Sequence, residues 1–84
     1  MRLLVEISLY PLAEKYVEPI LEFIERLNTH KTLEVKTSTT NTLVAGEYED
    51  VMRILCAEMQ HTHEEVGQAV FVCKFLNGTH LSID

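Results

Sequence analysis

The stretch LLVEISLY, Leu3 to Tyr10, decides the fold. Its side chains alternate with the period of a half-buried strand. Leu3, Val5, Ile7 and Leu9 fall on one face, and Leu4, Glu6, Ser8 and Tyr10 on the other. Pro11 cannot donate to a ladder, so the strand is expected to end there. One face is apolar enough for a core. The other sets a carboxylate, a hydroxyl and an aromatic ring in a row, and the remaining sequence must say what that face meets.

Working outward, Val17, Ile20, Leu21, Ile24 and Leu27 recur at helical spacing, with Glu18, Glu22, Glu25 and Arg26 on the outer face. Pro19 is comfortable only in a first turn, which places the helix start near Tyr16 and its end at Asn28 to Lys31. Leu33–Ser38 and Thr42–Tyr48 read as two strands of a hairpin joined by the turn Thr39–Asn41. Gly46 marks a bulge or a close approach to the backbone. Glu49 and Asp50 open a second helix, where its dipole favours acids. Val51, Ile54, Leu55 and Met59 form its buried side with Glu58 at the edge, and Gly67 stops it. Gln68–Gly78 is a fourth strand, and residues 79–84 form a tail or a short edge piece.

The order is βαββαβ. Right-handed crossovers and short links convert it into an α+β, ferredoxin-like fold: a four-stranded antiparallel sheet with both helices on one face. The first and third strands are then central neighbours. Leu3, Val5, Ile7 and Leu9 lie under the helices with Phe71, Cys73 and Phe75. Glu6, Ser8 and Tyr10 lie on the uncovered side with Leu43, Ala45, Val70, Val72 and Lys74. Such a face is too apolar to leave wet, so it is expected to stack on a second sheet in a homodimer or homotetramer.

The totals agree with one small domain over residues 1–84, of 46% hydrophobic and 24% charged residues. No apolar run approaches the roughly 20 residues that span a bilayer, and Glu6 interrupts any secretory core, so a cytoplasmic location is expected, without a membrane partner. A net charge of −6 argues against a nucleic-acid partner, whose phosphates need Lys and Arg. Cys56 and Cys73 form no C-x-x-C and are expected to be reduced, buried thiols. His61, His63, Glu64 and Glu65 do not converge on a helix as a metal requires. His61 reaches only Glu64 or Glu65, so no metal is expected.

No nucleophile elbow, P-loop or H-E-x-x-H is present. Nothing positive therefore speaks for an enzyme. Glu6, Ser8 and Tyr10 read either as an ordinary half-exposed strand face or as a small polar pocket at a subunit interface. KTSTTNT, Lys36 to Thr42, reads either as turn chemistry or as a rim of donors and acceptors for a heteroaromatic ring.

EISLYPL (Glu6–Leu12), YVEPILEFIERL (Tyr16–Leu27), VKTSTTNTLVAGEYEDVM (Val35–Met52) and VFVCKFLNG (Val70–Gly78) together resemble the YkoF-type thiamine/hydroxymethylpyrimidine-binding family. The most specific pieces are SLYPL and the rhythm of Thr42, Leu43 or Val44, Gly46 and Val51. The resemblance implies a non-enzymatic binder of thiamine or its hydroxymethylpyrimidine half, held as a ligand and not as a catalytic cofactor. It also implies that single units self-associate. Ser8 and the segment Thr37–Thr42, with Ser38 and Asn41, match the family pattern and are expected to line the pocket.

Glu6, Tyr10 and Lys74 enter on their own chemistry. A Glu6 carboxylate can accept from an exocyclic amine, Tyr10 can hold a thiazolium by a cation–π contact, and Lys74 can pair with Glu6 or reach a ligand phosphate. The competing expectation is an oligomeric interaction module whose open sheet face serves assembly or a protein partner alone. A weaker one is an enzyme built on Glu6 and Lys74.

Overall fold

The computed structural model describes residues 1–78. The expectation for residues 79–84 lies outside the described residues. The elements run β1 (Arg2–Pro11), α1 (Val17–Asn28), β2 (Glu34–Thr37), β3 (Thr42–Glu47), α2 (Tyr48–Val66) and β4 (Ala69–Asn77). The strands form one antiparallel sheet in the order β2-β3-β1-β4, which is the ferredoxin-like arrangement.

Register follows the alternation of Leu3–Tyr10. Val5 lies opposite Val44 on one side and Phe75 on the other, and all three face the helices. Glu6 lies opposite Leu43 and Lys74 on the open face. Leu3, Val5, Ile7, Phe23, Leu27, Leu33, Val44, Val51, Ile54 and Leu55 make the core. Ala45 is buried although it sits on the open face. Arg2 Nη2 reaches Glu34 Oε1 at 2.9 Å, and this ion pair spans β3 above it.

Local signals explain the ends of the elements. Tyr16 holds the N-cap position of α1 without a side-chain cap bond, and Pro19 falls in the first turn, where the lost N–H costs nothing. Gly67 ends α2 at φ +86°, a conformation that favours glycine. Gly46 is a close approach: a Cβ there would meet the Thr32 carbonyl and Val51 at 3.2 Å and Leu33 at 3.3 Å. Pro11 is the last residue of β1, one beyond its expected end. Pairing with β3 stops at Ile7, so the N–H that Pro11 lacks had no partner to lose.

Three burial expectations are corrected. Val17 and Leu21 are exposed, and the buried side of α1 is Phe23 and Leu27 flanked by half-buried Ile20 and Ile24. α1 is rotated so that the Phe23 ring meets Phe71 at 5.1 Å between centroids. Phe75 is about half exposed because β4 is an edge strand that neither helix fully covers. Cys56 is exposed and Cys73 only partly buried; burial pushes the Cys73 thiol pKa up.

Arg26, assigned to the outer face of α1 by its spacing, instead ties the two helices together. Its Nε donates to Glu58 Oε1 at 2.8 Å and its Nη2 to the Thr62 hydroxyl at 2.7 Å. His30 Nε2 lies 2.7 Å from Glu58 Oε2. Burial pushes the Glu58 carboxyl up, but the hydrogen bonds from His30 and Arg26 outweigh it and hold the pKa below the usual value. Among the described residues no helix is long and apolar enough to cross a membrane.

Candidate functional site

β1 outruns β3. Beyond Ile7, residues Ser8 to Pro11 pair only with β4, because pairing with β3 stops at Thr42. A cleft of about 420 Å³ opens in this notch. Ile7 and Leu9 of β1 and Ile20, Phe23 and Ile24 of α1 form its apolar wall. Tyr10, Tyr16 and Pro11 stand around it, and Thr37 to Thr42 form its polar rim. Among the described residues that line it, none carries a carboxylate, an amine or an imidazole.

The rim is partly closed on itself. Ser38 donates from its hydroxyl to Asn41 Oδ1 at 2.8 Å, and its N–H bonds the Asn41 carbonyl at 2.9 Å. The Ser8 hydroxyl reaches the Thr40 carbonyl at 3.4 Å, tying the turn to β1. These bonds are turn chemistry, and they fix the shape of the rim.

Two sets of polar groups remain open. Thr42 is only 5% exposed, lines the cleft beside Ile7, and its hydroxyl has no hydrogen-bond partner among the described residues. The second set is backbone. The Met1 carbonyl accepts from Tyr48 N–H across β3, whereas Leu12 N–H donates to Gln68 across β4. Bonding direction alternates along an antiparallel ladder, so odd-numbered residues of β1 turn toward β3. Leu9 therefore aims its N–H and C=O into the notch, where β3 has already ended.

Six of the expected residues converge here: Ser8, Tyr10, Thr37, Ser38, Asn41 and Thr42. Glu6 and Lys74 do not. They lie opposite one another on the open face, 3.8 Å apart, with Lys74 mostly exposed. Such a pair contributes about 0–1 kcal/mol. Sequence reasoning missed Tyr16, Phe23 and the Leu9 backbone as parts of the candidate site, whereas Thr39 and Thr40 fall within the expected segment Thr37–Thr42. The aromatic residues carry no signal that separates a pocket wall from a core. The free Leu9 groups become visible only once the strand register is known. At the far end of α2, His61 bonds Glu65 at 2.9 Å while His63 turns to the Ala69 carbonyl at 3.0 Å.

The sequence matches the model of the YKOF-related family over residues 3–79. The chain belongs to the YkoF-related family. Comparison with curated proteins finds no match. Among solved structures, this YkoF-related chain is similar to a protein of Streptococcus pneumoniae at a TM-score of 0.87 and 24% identity, covering 99% of this chain and 93% of that one. It is similar to a proposed thiamine biosynthesis/salvage protein of Thermotoga maritima at 0.84 and 20% identity, covering 93% and 85%. A hypothetical protein of Methanocaldococcus jannascii follows at 0.80 and 17% identity, covering 96% and 84%. These likenesses establish the fold. Three of the four segments that carry the YkoF resemblance in sequence, Glu6–Leu12, Tyr16–Leu27 and Val35–Met52, border the cleft.

Proposed function

We propose that this protein is a non-enzymatic binder of thiamine or its hydroxymethylpyrimidine half, with the pyrimidine held in the notch between β1, α1 and the β2–β3 turn. One observation carries the reading. An apolar cleft the size of a small ligand site contains polar groups without a partner among the described residues, the Leu9 N–H and C=O and the Thr42 hydroxyl. An aminopyrimidine edge presents a ring-nitrogen acceptor beside an amine donor, which complements an adjacent N–H and C=O. Thr42 and the Asn41 amide nitrogen reach the remaining edge. Phe23 and Ile7 flank the ring, and Tyr10 or Tyr16 faces the thiazolium at the mouth, at about 0.5–2 kcal/mol for a cation–π contact. Membership of the YkoF-related family and the printed name of the Thermotoga maritima neighbour support a thiamine-related ligand.

The site is then complete within one chain, and neither Glu6 nor Lys74 touches the ligand. Self-association through the open face remains part of the proposal, because Tyr10, Val70, Val72 and Leu76 on it are about half exposed. Tyr10 belongs both to this face and to the mouth of the cleft, so a stacked second sheet borders the mouth. Titration calorimetry with thiamine, hydroxymethylpyrimidine and thiamine phosphates tests the proposal. Micromolar binding that hydroxymethylpyrimidine retains is expected. No heat and no thermal shift at millimolar concentrations of any of them overturns it.

A further inference from the structure

Sulfur is scarce in this chain, and most of it gathers in one place. There are three methionines and two cysteines, and Met52, Cys56 and Met59 among them line a single groove. The groove holds about 540 Å³ between α2 and β4, with Phe71 and Phe75 on its strand side.

The helix sets the three sulfur side chains together. Positions 52, 56 and 59 are four and three apart within α2, so they share one face with neighbouring Cβ atoms about 5–6 Å apart. Cys56 is the middle one, and Met52 and Met59 approach it from the turns on either side. Val51, Ile54 and Leu55 supply the core from the adjoining face. Met52 is 42% exposed and Cys56 is exposed, so neither sulfur is spent on core packing, while Met59 packs against the margin of the core.

The other polar groups nearby are committed elsewhere. His63 lines the same groove one turn further on, but its Nε2 lies 3.0 Å from the Ala69 carbonyl and its ring meets the Phe71 ring at 5.2 Å between centroids. Cys73 faces the helices from β4 without lining the groove, and burial favours its neutral thiol. Among the described residues that line the groove, none carries a carboxylate.

We propose that Met52, Cys56 and Met59 form a binding site for a soft monovalent metal ion, Cu(I), held by one thiolate and two thioethers. Thiolate and thioether donors select soft ions, whereas magnesium and calcium need oxygen ligands that this groove does not offer. Charge selects the monovalent ion. One thiolate and one monovalent cation sum to zero, so the complex brings no net charge into an apolar groove. A divalent ion would leave a positive charge there with no carboxylate beside it, and such a charge is costly to desolvate. The Cys56 thiol gives its proton to solvent as the sulfur–metal bond forms. The site lies on the far side of the Phe23–Phe71 ring pair from the cleft, so it does not rest on the thiamine reading.

Competition for Cu(I) against a chromophoric chelator, under anaerobic reducing conditions, tests this on the full chain. A single ion per chain is expected. Cys56→Ser should abolish retention of the metal. Met52→Leu and Met59→Leu keep apolar volume, so the fold should persist, and each should weaken Cu(I) by about tenfold. Wild-type affinity in the Met52→Leu/Met59→Leu double variant overturns the proposal, because an exposed thiol is then acting alone. Methyl NMR gives a readout independent of the variants. Ag(I), a redox-inert stand-in, should shift the Met52 and Met59 methyl signals and leave Met1 in place, while Zn(II) should shift neither. Unmoved Met52 and Met59 signals with Ag(I), or equal shifts with Zn(II), also overturn it.

Discussion

Thr42→Val separates the roles of fold and ligand at one atom. The two side chains have nearly the same shape, and valine suits a strand at least as well as threonine. Thr42 is 5% exposed and its hydroxyl has no protein partner among the described residues. In the empty protein that hydroxyl is crowded but still meets solvent in the cleft, and burying a polar group fully uncompensated costs about 1–3 kcal/mol in proteins. Contact with water in the cleft recovers part of this, so the substitution should raise the stability of the ligand-free protein by about 0.5–1 kcal/mol. In the complex the hydroxyl gains a partner, and a neutral hydrogen bond contributes about 0.5–1.5 kcal/mol net. Affinity for hydroxymethylpyrimidine should therefore fall by about 2- to 12-fold while stability rises. Urea denaturation without ligand and calorimetry with it measure the two signs. Unchanged affinity, or a stability loss above about 1 kcal/mol, refutes the reasoning, because either result means that Thr42 serves the fold and not the cleft.

Gly46→Ala should destabilise by about 1–3 kcal/mol, since the new methyl meets the Thr32 carbonyl at 3.2 Å and backbone yields less readily than a side chain; urea midpoints measure it. Glu58 has a folded-state pKa below its ordinary 4.5, so its contribution is fully present above about pH 4.5 and is lost as pH falls through the folded value. Glu58→Gln should therefore lower stability at pH 7 and flatten its dependence between about pH 5 and pH 3; parallel curves for the two proteins would contradict this. Lys74→Ala should leave affinity for hydroxymethylpyrimidine within about twofold, because the Glu6–Lys74 pair is exposed and away from the cleft; a larger loss would return both residues to the site.

Much of the architecture was legible before any coordinates. The alternation of Leu3–Tyr10, Pro19 in a first turn, Gly67 as a stop and the βαββαβ order are local patterns, and local patterns set local structure. They yielded the ferredoxin-like sheet and the assignment of Glu6, Ser8, Leu43 and Lys74 to its open face. The helix α1 was less legible. Val17, Ile20, Leu21, Ile24 and Leu27 keep helical spacing, yet a stripe that wide admits several rotations, and contact with Phe71 selected the one that buries Phe23. Arg26 and Glu58 are 32 residues apart, and no local pattern joins them.

The site divides in the same way. By itself, the sequence determined the strands, the helices, the family resemblance and the polar composition of the Lys36–Thr42 turn. Only the tertiary structure decided that β1 outruns β3, that Leu9 thereby points free backbone groups into a notch, and that Glu6 and Lys74 lie outside it. Propensity and periodicity act over a few neighbouring residues, whereas a cleft is defined by which strand ends first, and that depends on a register between segments roughly 35 residues apart.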